Sequence, residues 1–591
     1  MSETLPAFLE VERSSTGKRW RLRGDDERLG LALSQRFGLP EIVGRIMAGR
    51  GIGLEDAEAF LNPSLRSQMP DPAHLNDMNL AAERIVQAIR QKEAIAVFGD
   101  YDVDGATSSA LLDRFFKAVG SEVFVYIPDR LKEGYGPNAD ALRKLADNGA
   151  KVVITVDCGI TAFDALAAGA QAGLDVIVVD HHVAEPRLPQ AHAVVNPNRL
   201  DDDSPHGQMA AVGVAFLLVA AVNRALRECG WYNNRSEPDL RQWLDLVALG
   251  TVCDVALLTG INRVFVTQGG KVMAGRGNPG ISALADVAGI DEAPSAYHAG
   301  FVLGPRVNAG GRVGESGLGA RLLASDDKDE CQDIARRLDG YNKERRDIEA
   351  RCLEEAIDLV ESRPTDPGVV FVAAHGWHPG VIGIVASRLV ERYNRPACVV
   401  AVEDGVGKGS GRSIRGVDLG AAILNARQQD LLLNGGGHPM AAGFTVSEDA
   451  LESLGAFLSQ WIAGMIGEGS LVPELSVDGA IQPAAATVDF LSKLDRLAPF
   501  GSGNARPRFV FPGVFIQKAD VVGIHHVRCF LQGQDGARLK AIAFRAVERP
   551  LGVALLNASG MPLHIAGHLQ VDRWQGRESA QLIVEDAAPV T

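Results

Sequence analysis

A chain of 591 residues is too long for one core and, at about 100 to 200 residues per domain, divides into three or four units. Its 46% hydrophobic content supplies packed domains, and its formal charge of −15 argues against a general coat for nucleic acid while allowing basic clusters inside a groove. Seven scattered cysteines without a CxxC pair fit reduced thiols in a cytoplasmic protein, and the longest apolar run, Met209 to Val222, is too short to span a bilayer and fits a buried helix.

Residues 1–90 read as a helical segment. MSETLPAFLEVERSS has no basic head followed by an apolar block, so no secretory signal is expected. GLPEIVGRIMAGRGI and LEDAEAFL carry apolar residues at three- and four-residue spacing. Arg13, Lys18, Arg19, Arg21 and Arg23 form a mild basic cluster that reads as solvated surface.

Residues 91–319 alternate between apolar β-type runs and helices. The runs are AIAVF (94–98), VFVYI (123–127), VVITV (152–156) and VIVV (176–179), with helices over Thr107–Val119, from Asn138, and near Ala162–Ala170. This alternation predicts an α/β domain with a parallel, doubly wound sheet. VFGDYDVDG (97–105) sets Asp100, Asp102 and Asp104 just past the first run, while Asp157 in TVDCG and Asp180, His181 and His182 in VVDHH follow two others. Asp254 in TVCDV follows LRQWLDLVALG, an amphipathic stretch that would carry it to the crevice from a helix end. Strand carboxyl ends border the ligand crevice of an open α/β sheet, so these groups can converge.

Alternating acids make an oxygen-rich pocket suited to hard divalent cations. Two such ions, held by shared carboxylates, can activate a water and stabilise the leaving oxygen of a phosphodiester. Asp102 and Asp104 can face different ions, Asp157 can bridge them, and His181 and Asp254 can complete one shell; Asp100 is a ligand or a partner to one. His182 can act as an acid or as a hydrogen-bond donor to the reacting phosphate. One such Asp alone would read as a helix cap. Cys158 and Cys253 read as small buried residues, and His525 and His526 as surface.

Residues 320–362 are densely charged with regular apolar positions and predict a long connecting helix, ended by RPTDPG (363–368). A second α/β unit over 363–469 starts with VVFVAA (369–374) and contains Gly435, Gly436, Gly437 and His438. In 470–591 the short runs RFVFPGVFIQ, VRCFLQG, LKAIAF, LHIAGHLQV and QLIVED predict a small β-barrel, of which the oligonucleotide-binding (OB) fold is one option. Arg130, Arg306 and Arg412 are fork-shaped cations suited to phosphate. The glycine cluster lets backbone N–H groups approach a phosphate, to which His438 could also donate. With aromatics at 6%, charge contacts should outweigh base stacking.

GDYDVDG, VDCG, VDHH and TVCDV, in this order, resemble the motifs of the DHH phosphoesterase superfamily. IPDRLKEGYG (127–136), LGPRVNAGGR (303–312), HPGVIGIVASRL (378–389), GSGRS (409–413), GGGHPMAAGF (435–444) and LAPFGSGNARP (497–507) extend the resemblance, over nearly the full length, to its RecJ family. That resemblance implies a DHH catalytic domain, a DHHA1-type DNA-binding domain and an OB-fold domain. It implies a 5′ to 3′ exonuclease that releases 5′-mononucleotides from single-stranded DNA in recombination and repair, with two Mg²⁺ or Mn²⁺ ions. Carried over by motif, Asp100, Asp102, Asp104, Asp157, His181 and Asp254 serve the metals, and Asp157, His182 and Asp104 serve catalysis. Arg130, Arg306, Asn308, Arg312, His378, Ser410, Arg412, Ser413, Gly436, Gly437 and His438 serve the substrate. NAGGR stands where the family more often has NAAGR. Implied partners are single-stranded DNA with a free 5′ end, a single-stranded-DNA-binding protein and a helicase, with no membrane; without a coiled-coil seam the expectation is a monomer. The alternative is a DHH phosphodiesterase of short oligoribonucleotides or cyclic dinucleotides, against which residues 470–591 argue. A DNA-binding protein without activity would have no reason to retain so many mutually repelling acids.

Overall fold

The computed structural model describes residues 6–590 apart from 25, 131, 363–367, 467–471, 559 and 575. Five parallel strands form the sheet of the catalytic lobe, in the spatial order Val123–Tyr126, Ile95–Gly99, Val152–Val156, Asp175–Val179, Ala193–Val195. Ile95–Gly99 and Val152–Val156 are buried along their whole length, which is why they read as unbroken apolar runs. On one face Ile95, Val97 and Ile154 share a core with the helices Met78–Gln91, Val103–Ala118, Ala211–Glu228 and Leu244–Cys253. On the other, Ala96, Phe98 and Val153 pack against Leu142 of Ala139–Asp147 and Leu166 of Phe163–Gln171. From Ile95–Gly99 the chain crosses to Val123–Tyr126 on one side and then returns to Val152–Val156 on the other. This reversal of strand order leaves a crevice beyond the carboxyl ends of the two inner strands.

Leu244–Cys253 was expected to be amphipathic, but Leu244 to Thr251 are all buried. The helix lies between Val103–Ala118 and Gly260–Ala274, so it has no solvent face to keep polar. The connecting helix runs from Lys328 to Glu361, about 51 Å at about 1.5 Å per residue. It starts later than the charge pattern implies, because Leu318–Ala324 forms a separate short helix and Asp327 caps the long one through Asp329 N and Glu330 N. Its Cys331, Ile334 and Leu338 enter the catalytic core, and Cys352 and Ala356 enter the second lobe. Of RPTDPG, expected to end it, 363–367 fall outside the described residues.

The second lobe is a five-stranded mixed sheet, ordered Asn434–His438, Ala441–Ser447, Val406–Arg412, Ala397–Glu403, Val370–His375, with only the last two strands parallel. The C-terminal lobe is a closed barrel. Phe509–Val522, His526–Gln532 and Arg538–Ala543 form a meander; Arg538–Ala543 pairs in parallel with Arg577–Pro589, and Pro562–Trp574 closes back on Phe509–Val522. With the helix Pro550–Leu556 between its third and fourth strands, this is the OB topology.

The N-terminal segment is not purely helical. Arg19–Leu22 is a strand that pairs in parallel with Glu474–Val477, and Trp20 is fully buried, with its indole N–H on Asp586 Oδ2 at 2.9 Å. Leu33, Val43 and Met47 share a core with Phe509 and Phe511, so this segment packs on the barrel. Of the basic cluster, Arg19, Arg21 and Arg23 pair with Glu12, Glu474 and Asp478. No helix among the described residues is long and apolar enough to cross a membrane.

Candidate active site

Each sequence-predicted acid or imidazole is placed by a specific local device. Asp102 caps the helix Val103–Ala118, its Oδ1 accepting from Asp104 N at 2.8 Å and Gly105 N at 3.2 Å. Gly105 lies against the backbone of Asp100, where a Cβ would meet the Asp100 oxygen at 2.4 Å and nitrogen at 2.6 Å. The Asp104 carboxylate accepts from Ala211 N at 2.7 Å and Val212 N at 2.9 Å. These open the helix Ala211–Glu228, which has no cap of its own, and its positive end holds the anion. Asp157 follows the strand Val152–Val156 at φ 61, a left-handed conformation that Asp tolerates better than most residues, and Tyr135 Oη donates to its carbonyl at 3.0 Å.

Asp180 is fully buried and accepts from Ile160 N, His181 N, His182 N and His182 Nδ1 at 3.0, 2.8, 3.2 and 2.7 Å. Asn196 and Asn198 amides donate to the carbonyls of His182 and His181 at 2.9 and 2.5 Å, fixing both rings' backbone. Asp254 closes the C-terminus of Leu244–Cys253.

These devices bring the side chains together. His181 Nε2 lies 3.3 Å from Asp157 Oδ1 and 3.9 Å from Asp104 Oδ2, and its Nδ1 lies 3.9 Å from Asp254 Oδ2. Ligand atoms converge within 4.8 Å in three overlapping groups: Asp100, Asp102 and Asp157; Asp157, His181 and His182; and Asp104, His181 and Asp254. Among the described residues no other such group occurs. Asp157 is common to the first two and His181 to the last two. Asp100 Oδ1 and His181 Nε2 are sealed from solvent without a hydrogen-bond partner. Orphaned acceptors in a carboxylate–imidazole set fit divalent ions of the Mg²⁺ and Mn²⁺ class.

The electrostatics agree. Burial and then the Asp254 charge push Asp104 up to about 7; burial and then Asp102 push Asp254 up to about 7. Burial and Asp102 likewise raise Asp100 and Asp157 well above the carboxylate range. Such crowding is relieved by a cation. Burial, the largest single effect, pushes Asp180 up too, but the hydrogen bond and charge of His182 together with the backbone N–H donors of Ile160 and His182 hold it below the usual range. Burial lowers His182, but the Asp180 hydrogen bond and charge, joined by the charges of Asp254 and Asp104, outweigh it and raise that imidazole to about 9.

Asp100, Asp102, Asp157, His182 and Asp254 share the lining of a cavity of about 210 Å³ with Arg130, Asn308 and Arg312. Larger hollows of about 960 and 780 Å³ elsewhere on the catalytic lobe hold no ligand group of this kind. The Arg130 guanidinium lies 5.1 Å from the Tyr101 ring centroid. Desolvation and the neighbouring Arg130 bring Arg312 down to about 10 and lower Arg412, so both guanidinium groups feel Arg130 at the junction of the lobes. Arg312 Nη1 donates across that junction to Gly380 O at 3.0 Å. Cations and acids gathered at one cavity suit a phosphodiester held by ions and arginines together.

Several predicted substrate residues lie outside the lining of this cavity. Arg306 is turned from the cavity: its Nε donates to Asp339 Oδ1 at 3.0 Å and its Nη1 to Val302 O at 2.7 Å. Ser413 is buried and donates to Val417 O at 2.7 Å, a turn contact. Ser410 Oγ accepts from Arg412 Nη1 at 3.1 Å, and His378 Nδ1 accepts from Gly380 N at 3.0 Å, which orients the loop beneath Arg312. Gly436, Gly437 and His438 lie on the exposed edge strand Asn434–His438. Sequence reasoning passed over Tyr101, Tyr135 and Gly311, which line the cavity, although GDYDVDG, GYG and NAGGR contain them.

Comparison with known proteins identifies the family. Family models match as the DHH family N-terminal domain over 94–251, the DHHA1 domain over 366–464 and the RecJ OB domain over 477–586. The single-stranded-DNA-specific exonuclease RecJ of Escherichia coli (strain K12) is 35% identical over 93% of this chain and 96% of its own. That of Bacillus subtilis (strain 168) is 34% identical over 96% of this chain and 71% of its own. The crystal structure of RecJ in complex with Mn²⁺ from Thermus thermophilus aligns with a TM-score of 0.81 at 28% identity, covering 96% of this chain and 79% of that one. Its complex with Mg²⁺ aligns with a TM-score of 0.76 at 27% identity, covering 96% and 78%. With all three domains matched in order and the relatives spanned over most of their length, this chain belongs to the RecJ family.

Proposed function

We propose that the chain is a divalent-metal-dependent exonuclease specific for single-stranded DNA, which hydrolyses from the 5′ end, releases 5′-mononucleotides and serves recombination and repair. The observation that carries the reading is one cavity lined by both the DHH acids and guanidinium groups. Polarity and product follow the family resemblance. Two ions, Mg²⁺ or Mn²⁺, when held by Asp100, Asp102, Asp104, Asp157, His181 and Asp254, supply Lewis-acid polarisation of the phosphodiester and favour deprotonation of an attacking water.

The protein's own groups do the rest. Arg130, Arg312 and Arg412 bind the phosphates, and Asn308 orients them. Asp180 fixes the His182 ring through Nδ1, so His182 carries a proton at Nε2 at neutral pH and donates it toward the leaving oxygen. The exposed edge strand with Gly436, Gly437 and His438, together with the barrel, supports the strand leading to the cavity. Single-stranded-DNA-binding protein and a helicase as partners, a monomeric state and a cytoplasmic location complete the reading.

Digestion of a long labelled single strand against dinucleotides, with Mn²⁺ or EDTA, tests it. Loss of the long strand in Mn²⁺ alone is expected. Hydrolysis confined to dinucleotides would favour a small-substrate phosphodiesterase.

A further inference from the structure

The motif LAPFGSGNARP (497–507) is over 240 residues beyond Asp254 and has no part in the chemistry above. Its loop nevertheless seats directly on the turn that follows Asp254. Leu258 N donates to Ser502 O at 2.8 Å. Gly501 and Gly503 press on the same turn: a Cβ on Gly501 would stand 2.7 Å from Leu258 Cδ1, and one on Gly503, at φ 69, 3.2 Å from Leu257 Cδ2.

Buried side chains lock this contact. Arg263, 2% exposed, donates to Phe60 O at 2.8 Å, Leu497 O at 3.1 Å and Ala498 O at 2.6 Å, with its guanidinium 3.8 Å from the Phe60 ring centroid. Asn504, 1% exposed, donates to Leu497 O at 2.8 Å and Pro499 O at 2.7 Å and accepts from Arg50, which also donates to Ala505 O at 2.6 Å.

The turn so held contains a costly residue. Val255, next to Asp254, adopts φ 60, an outlier for a β-branched side chain, and is 68% exposed, so burial of its side chain does not fix it there. The bonds on either side do: Ala256 N to Thr251 O at 3.2 Å, Asn262 Nδ2 to Leu257 O at 3.0 Å, and Leu258 N to Ser502 O.

We infer that the loop 497–505 of the C-terminal lobe is a positioning element of the metal centre, holding the left-handed turn at Val255 and thereby the Asp254 carboxylate. This rests on Asp254 being a metal ligand. Seating of the barrel and affinity for the ion are then coupled, and the barrel is more than a grip on the strand.

The test uses the full chain with Gly501→Val, which wedges the loop off Leu258. Mn²⁺ binding is followed by titration calorimetry, and hydrolysis on a strand of three or four nucleotides. Mn²⁺ affinity and kcat on the short strand are both expected to fall about tenfold, the scale seen when groups that orient a metal ligand are lost. Adding Leu258→Ala, which makes room for the new side chain, should restore both. Should Gly501→Val fail to fold, Arg263→Lys, too short to span the three carbonyls, carries the same expectation. Unchanged Mn²⁺ affinity in the folded variant, with only KM for long strands raised, would overturn the coupling. Absence of Mn²⁺ binding in the wild-type chain would overturn the metal-site reading instead.

Discussion

His181 Nε2 stands 3.3 Å from Asp157 Oδ1 without making a hydrogen bond, although the nitrogen is sealed from solvent. Two groups so close, one of them orphaned, suit a shared ion better than each other. Asp157→Asn removes the anion common to two ligand groups. Its kcat is expected to fall by at least about a hundredfold, beyond the loss typical of a metal's outer partners. The melting temperature of the EDTA-treated protein should not fall, because a repelling charge has gone. Near-normal kcat measured in Mn²⁺ would sink the assignment.

Acidity should work against the ions. Asp104 and Asp254 are each pushed up to about 7 from the ordinary carboxylate value. Below pH 7 an ion must displace protons from them, so Mn²⁺ affinity is expected to drop by at least about tenfold from pH 7.5 to pH 6. The sign for stability follows. The folded metal-free chain binds protons that the unfolded chain has released above about pH 4, so its stability falls as pH rises from about 4 through 7. The gain in melting temperature on adding Mn²⁺ should therefore be larger at pH 8 than at pH 6. Equal gains would contradict the acid cluster.

Asp180→Asn keeps the size of the buried group but loses the charge that raises His182 to about 9. The His182 imidazole then loses its proton at lower pH. The alkaline limb of the kcat profile should move to lower pH, with neutral-pH kcat reduced about tenfold or more. An unmoved limb would remove His182 from the acid role.

Arginines 306 and 412 should separate cleanly. Arg412→Ala removes a charge-assisted phosphate contact of ~1.5–3 kcal/mol, raising KM for single strands roughly 10- to 100-fold. Arg306→Ala, which breaks the pair with Asp339, should lower melting temperature and leave KM within about twofold. The opposite pattern would reverse their roles.

The metal half of the site was legible because its strands and its acids both carry local signals. Strands buried on both faces read as unbroken apolar runs, and the acids sit just past them. The arginine half was less so, since a motif does not say which of its residues face inward. LGPRVNAGGR forms the helix Gly304–Val313, on which Asn308, Gly311 and Arg312 share a face three and four apart, while Arg306 falls on another. In GSGRS, Ser410 and Arg412 share a face of the strand Val406–Arg412, and Ser413 lies past its end. The strand Arg19–Leu22 was missed because its partner is more than 450 residues away and nothing local marks it. The seat of LAPFGSGNARP on Leu257 and Leu258 depends on the packing of two lobes, which no spacing records.

Acids gathered beyond the carboxyl ends of the inner strands are expected to hold divalent ions that open a DNA strand from its 5′ end. The most direct measurement is digestion of two duplexes, one with a single-stranded 5′ overhang and one with a 3′ overhang, in Mn²⁺ and in EDTA. The account predicts loss of the 5′ overhang in Mn²⁺ alone; digestion in EDTA, or of the 3′ overhang in preference, would contradict it.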